Sequence, residues 1–338
     1  MPATTAAATA PTAAALHERF APLGDSTYTD ARCASLAGLM EEIQALKRAR
    51  NAVVLAHNYQ RPEIFQVADF VGDSLELARQ ATKVEADVIV FCGVHFMAET
   101  AKILNPTRTV ILPDLRAGCS LADSVTAEDL AERKAELRAV YPDLKVVGYV
   151  NTTADVKAEC DACCTSSNAV RVVEALPSQH ILFVPDKNLA AHVQSQTTKS
   201  IIAWDGNCYV HHQITPEQIL AVKHALPRLE VLAHPECRQD VLAIADRVLS
   251  TSGMVAHAKT SPATDFLIVT ECGLSDRLLL EVPEKHFYKS CKLCAYMKLI
   301  TLEGTRDALR DLTPEITLPE DVRVRAQRAL EAMLELGG

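Results

Sequence analysis

The chain has 338 residues, a formal charge of −9 and 49% hydrophobic but only 5% aromatic residues. Interspersed acidic and basic residues with a net negative balance argue against an electrostatic nucleic-acid binder. No apolar run approaches the roughly 20 residues of a membrane span. Residues 1–15 are an Ala/Thr/Pro tract without a basic start or a leucine-rich stretch, which argues against a secretory signal. Residues 1–30 read as a disordered, low-complexity N-terminus. The expected location is cytoplasmic. In that compartment eleven cysteines point to metal binding, catalysis or packing rather than to a disulfide framework.

Beyond this tract, apolar runs of four or five residues alternate with helical patterns, the signature of parallel strands buried on both faces. The first unit reads as a strand at 52–56, a helix near 62–69, a helix from Ser74 to about 82, a strand at 87–92, a helix at 96–104 and a strand at 109–113. Two further units give the same order. Helices near 126–140, 215–226 and 301–310 follow, each opened by a threonine suited to cap it, with glutamate in the first turn. The segment 319–335 is rich in Arg, Glu and Leu and reads as helical.

The units match position by position. Strand-like runs lead into His57, Tyr149 and His234, and a hydroxyl residue follows each at an offset of 17: Ser74, Ser166 and Thr251. Each unit then ends on a cysteine, Cys119, Cys208 or Cys294. Seven residues past each cysteine comes a threonine, with a glutamate two further on: Thr126/Glu128, Thr215/Glu217 and Thr301/Glu303. The fold class is therefore α/β: three pseudo-threefold αβα domains with small parallel sheets around a central site. The expected domains are 31–119, joined by C-terminal helices in 295–338, then 120–208 and 209–294.

In open parallel sheets functional residues gather beyond the carboxyl ends of the strands. Three matched thiolates meeting at one centre suit a metal or an iron–sulfur cluster, with one iron left without a thiolate. Zinc with three cysteines and water is the competing metal. A zinc site built from Cys160/Cys163 and Cys291/Cys294 would span 131 residues between its halves, far more than such sites usually do. Cys33, Cys92, Cys237 and Cys272 read as small buried hydrophobes. Cys291 reads as a spare or redox-active neighbour of Cys294. Glu236 is the one acid in the strand-end triplets and a candidate general base; Tyr59 or Tyr149 would relay protons. Ser74, Ser166 and Thr251 are expected to open helices, where hydroxyl and free N–H groups can take carboxylate or phosphate. His211 and His212 could serve behind the site or lie on the surface. No Gly-rich phosphate loop, dinucleotide fingerprint or zincin motif is present.

The segments AHNYQ (56–60), VGDSLELAR (71–79), GVHFMAETAKILNP (93–106), YVNTTADVKA (149–158), TSSNAV (165–170), PDKNLA (185–190), CYVH (208–211), HPEC (234–237), STSGM (250–254) and CAYMKLITL (294–302) closely resemble the quinolinate synthase family. The resemblance runs from about residue 40 onward. It implies condensation of iminosuccinate with dihydroxyacetone phosphate to quinolinate, with release of phosphate and water, in de novo NAD biosynthesis. It implies a 4Fe–4S cluster held by Cys119, Cys208 and Cys294, one per domain. It maps substrate binding onto His57, Ser74, Tyr149, Asn151, Ser166, His234, Glu236 and Thr251. It makes Tyr59 a catalytic tyrosine and assigns proton transfer to Glu236 with His57 or His234. Functional coupling to L-aspartate oxidase or aspartate dehydrogenase also follows from it. The alternatives are an iron–sulfur hydro-lyase acting on a hydroxy-acid and a non-catalytic cluster protein.

Overall fold

The computed structural model describes residues 10–24 and 26–337. Three four-stranded parallel sheets follow one another along the chain. The first contains β1 (Ala52–His57), β2 (Phe70–Gly72), β3 (Val88–Cys92) and β4 (Thr109–Ile111). The second contains β5 (Lys145–Tyr149), β6 (Ala162–Cys164), β7 (His180–Val184) and β8 (Ser200–Ala203). The third contains β9 (Glu230–Ala233), β10 (Arg247–Val248), β11 (Asp265–Val269) and β12 (His286–Lys289). In each the first strand lies between the second and third, giving the orders β2-β1-β3-β4, β6-β5-β7-β8 and β10-β9-β11-β12. The central strands are almost wholly buried because helices cover both faces, which explains their unbroken apolar runs.

A carboxylate braces the start of each sheet in the same way. Asp69, Asp161 and Asp246 each accept the backbone N–H of Val54, Val146 and Val231, at 2.7, 2.8 and 2.8 Å. Their own N–H groups return bonds to the carbonyls of those same valines. The offset is 15 residues every time. Thus the repeat extends from the strand pattern to individual hydrogen bonds.

Two sequence expectations about the ends need correction. Residues 1–9 lie outside the described residues, but the expected disorder of 1–30 fails where the chain is described. Ala13–Phe20 is a helix capped by Thr12, with Leu16 and Phe20 fully buried. It packs on a long helix, Asp30–Ala49, that sequence reading did not identify. Leu16 and Phe20 are spaced i, i+4 and so share one helix face, which is why this alanine-rich tract can dock. At the other end, Leu302–Asp311 packs on Asp30–Ala49 and β3. Glu320–Leu336 instead lies chiefly against Ala154–Ala158 and β6 of the second unit, and touches the first through His95–Leu104. It bridges two units rather than extending the first.

Candidate active site

The carboxyl ends of β1, β5 and β9 converge on one cavity. His57 ends β1, Tyr149 ends β5 and His234 follows β9, and all three are buried. The two histidines are held alike. Nδ1 of His57 accepts the N–H of Tyr59 at 3.2 Å, and Nδ1 of His234 accepts the N–H of Glu236 at 3.4 Å. Each neutral ring therefore carries its proton on Nε2. Burial, ahead of the neighbouring charges, holds both at a pKa of about 3, so they stay neutral donors near pH 7.

Glu236 is the focus of the cavity's hydrogen bonds. Its Oε1 accepts from the Tyr149 hydroxyl at 2.5 Å, and its Oε2 lies 2.9 Å from Nδ1 of His211. Burial alone would raise the pKa of this carboxyl. The facing His211, His234 and Tyr149 outweigh burial and hold it below the usual carboxylate range. Nε2 of His211 lies 2.8 Å from Thr270 Oγ1, which lies 2.6 Å from the Tyr59 hydroxyl. With Glu236 ionised, every hydrogen along Tyr59–Thr270–His211–Glu236 can point toward the carboxylate. Burial, then the charge of Glu236, raises both tyrosine pKa values well above normal, so both phenols are protonated at rest.

The hydroxyl residues also line the cavity, but not as expected in detail. Ser74 and Thr251 are the first residues of their helices, and the caps are Asp73 and Ser250. The hydroxyls are therefore free of capping duty, although Thr251 Oγ1 accepts from Asn58 Nδ2 at 2.8 Å. Ser166 does not open a helix: it lies in a turn, and the helix begins at Ala169 behind Asn168. Asn151 Oδ1 is buried with no hydrogen-bond partner among the described residues, an acceptor open to a ligand.

Cys119, Cys208 and Cys294 line the same cavity. Each sulfur sits at the start of a short helical turn and accepts backbone N–H groups from it: Leu121 and Ala122 for Cys119, His211 for Cys208, and Tyr296 and Met297 for Cys294. Such donors suit thiolates. Burial nonetheless raises all three thiol pKa values, that of Cys119 to about 12, so a bound cation is needed to hold the set deprotonated. A single tetrahedral zinc with bonds of about 2.3 Å would draw three sulfurs to roughly 3.8 Å apart. Among the described residues the one ligand group within 4.8 Å is Cys208, His211 and Glu236, not the three cysteines. The three thiol sulfurs therefore do not all lie close enough to share one zinc ion as they stand.

The remaining cysteines divide differently from expectation. Cys272 and Cys291 form a disulfide, so neither the packing role for Cys272 nor a free Cys291 holds. Glu271 and Lys292 form a parallel bridge beyond β11 and β12, which brings the two Cα atoms to 5.1 Å, within disulfide reach. That bond removes the zinc pairing of Cys160/Cys163 with Cys291/Cys294. Cys160 packs on Gly148, where an added Cβ would fall 2.6 Å from its sulfur. Sequence reasoning also missed Thr270 and left His211 undecided. His211 lies three residues from Cys208 on one helical turn, and that spacing carried a usable signal.

A model of the quinolinate synthetase A protein family matches residues 41–335. The quinolinate synthase of Desulforudis audaxviator is 54% identical over 301 residues, covering 88% of this chain and 98% of its own. The chain belongs to the quinolinate synthase family. That of Thermodesulfovibrio yellowstonii is 54% identical over 300 residues, with 88% and 98% covered. Quinolinate synthase 1 of Methanosarcina acetivorans is 50% identical over 300 residues, with 88% and 97% covered. Among the described residues no helix is long and apolar enough to cross a membrane.

Proposed function

We propose that this cavity condenses iminosuccinate with dihydroxyacetone phosphate to quinolinate, releasing phosphate and water. The observation that carries the reading is convergence. Residues from three units, as far apart in sequence as His57 and Cys294, line one cavity with a directed hydrogen-bond chain at its centre. Family membership favours this reaction over the hydro-lyase alternative. The convergent His, Tyr and Glu side chains count against a non-catalytic role.

Cys119, Cys208 and Cys294 would hold a 4Fe–4S cluster. When bound, its iron lacking a thiolate supplies a Lewis acid for a substrate oxygen. His57 and His234 offer Nε2–H groups to the substrates' anionic oxygens. Ser74 and Thr251 add hydroxyls at helix N-termini that favour carboxylate or phosphate. Ser166 and Asn151 complete the polar lining, the free Oδ1 of Asn151 accepting from an N–H or O–H of the substrate.

Tyr59 can pass its proton to Thr270 as Thr270 passes its own to Nε2 of His211. The imidazolium so formed faces the ionised Glu236. The phenolate left on Tyr59 is then a base for one substrate C–H or N–H proton, and the proton held on His211 returns through Thr270 as Tyr59 protonates the departing hydroxide, which leaves as water and restores the chain for the next removal. Tyr149 keeps Glu236 charged by donating to its other oxygen.

The same reading includes the domain limits 31–119, 120–208 and 209–294. It includes a cytoplasmic location and supply of iminosuccinate by L-aspartate oxidase or aspartate dehydrogenase. The test is anaerobic turnover of the iron- and sulfide-loaded protein with both substrates. Quinolinate should form only when the triose phosphate is present, and a loaded protein forming none would end the proposal.

A further inference from the structure

The three cysteine loops are not anchored alike. The helices after the middle strands are His95–Leu104, Lys187–Gln194 and Cys272–Glu281, with N-cap residues Val94, Asp186 and Glu271. In every unit the N–H after the cap donates to the carbonyl two residues before the cysteine. His95 reaches Ala117 at 2.7 Å, Lys187 reaches Gly206 at 2.8 Å and Cys272 reaches Lys292 at 3.3 Å.

In the second and third units the cap makes one more bond. Asp186 takes the Leu189 N–H on Oδ1 at 2.7 Å and the N–H of Cys208 on Oδ2 at 3.2 Å. Glu271 takes the Gly273 N–H on Oε2 at 2.6 Å and the N–H of Cys294 on Oε1 at 3.0 Å. Val94 has no side-chain acceptor to give. A neutral Ser, Thr or Asn would cap a helix as well. Both carboxyls are fully buried, where an acid is a less favourable choice than a neutral cap. Capping alone does not account for them, and the second oxygen does.

We propose that Asp186 and Glu271 are positioning residues for the metal-binding thiols. Each clamps the backbone of its cysteine, Cys208 or Cys294, so that the sulfur faces the shared centre, while the Cys119 loop lacks this second anchor. Lys298 extends the clamp in the third unit: its Nζ lies 3.2 Å from Glu271 Oε1 and donates to the Tyr59 carbonyl at 2.5 Å. The Cys294 loop and the proton-relaying tyrosine are thereby set by one carboxylate. The inference rests on the cluster reading above.

The test uses anaerobically iron- and sulfide-loaded parent, Asp186→Asn and Glu271→Gln proteins. Each amide keeps the shape and one acceptor but can turn an NH2 toward the cysteine N–H. The proteins are challenged with an iron chelator, and bound iron and visible absorbance are followed. Both variants should lose iron at least about tenfold faster than the parent, in line with the effect of removing a ligand's supporting partner. Thr126→Ala, which removes an ordinary helix cap, should match the parent. Parent-like retention in Asp186→Asn and Glu271→Gln overturns the proposal. If Asp186→Asn fails to fold, Asp186→Ser still offers a cap hydroxyl to Leu189 but is too short to hold Cys208 as well. It must show the same loss, and parent-like retention there overturns the proposal equally. A parent that takes up no iron and sulfide overturns the cluster reading itself, a result distinct from equal retention.

Discussion

Tyr149 and Glu236 belong to different units, lie 87 residues apart and share a 2.5 Å hydrogen bond at the centre of the cavity. Tyr149→Phe removes that donor and leaves a buried carboxylate short of one partner. Glu236→Gln removes the charge that draws every proton in the chain toward it. Each should lower kcat by about 10²- to 10⁴-fold, the usual range for a positioned acid or base. The check is steady-state turnover on protein whose iron content matches the parent.

Thr270→Val keeps the shape of the side chain and removes the bridging hydroxyl, leaving only the longer direct contact of the Tyr59 hydroxyl with His211 Nε2 at 3.4 Å. The expected result is a fall in kcat of about 100-fold with KM for both substrates little changed, because Thr270 passes a proton and binds nothing. A larger change in KM than in kcat would count against the relay.

Cys119→Ser, Cys208→Ser and Cys294→Ser should each abolish both the cluster absorbance and activity. Cys33→Ser should keep both, since Cys33 is buried outside the cavity lining and its thiol donates to the Tyr28 carbonyl at 3.6 Å. Iron and sulfide analysis beside the visible spectrum decides between these outcomes.

His57 and His234 are held near a pKa of about 3 by burial, against 6.5 in the unfolded chain. Between those values the unfolded state binds more protons, so stability rises with pH across this window and is lost as pH falls below about 6.5. The loss is about 1.4 kcal/mol per pH unit per histidine, or about 2 kcal/mol each at pH 5. Urea midpoints of the cluster-free protein at pH 5 and 7 should show it. His57→Asn with His234→Asn should flatten the difference.

Thiol titration of denatured, cluster-free protein should give nine free cysteines before reduction and eleven after it. Cys272→Ser should destabilise the oxidised protein by about 3 kcal/mol, as expected for releasing a loop of this length. A count of eleven before reduction would show the pair open.

Much of this architecture was legible because the sequence repeats itself. The strand-end residues His57, Tyr149 and His234 and the three cysteines are matched by offset alone, and the fold carries them to one place. The misses share a cause. Thr270, Asp186 and Glu271 follow the middle strands β7 and β11, and their counterparts after β3 are Gly93 and Val94, so no repeated residue type marks these positions. Ser166 was placed at a helix start by analogy, but Thr165 and Asn168 form a local turn instead, with Asn168 Oδ1 accepting the Thr165 N–H at 2.7 Å. Low complexity hid the Leu16/Phe20 stripe. The disulfide was missed because compartment, rather than the meeting of β11 and β12, guided the reading of the cysteines.

Three copies of one strand order would, if identical in detail, surround a ligand with three indistinguishable walls. Such a chamber could not tell one end of a bound molecule from another. Replacing a ring nitrogen with a phenol at Tyr149, and an acid with an aliphatic side chain at Val94, gives the chamber a sense of direction. Joining two unlike molecules in one fixed orientation depends on that broken symmetry as much as on the threefold frame itself.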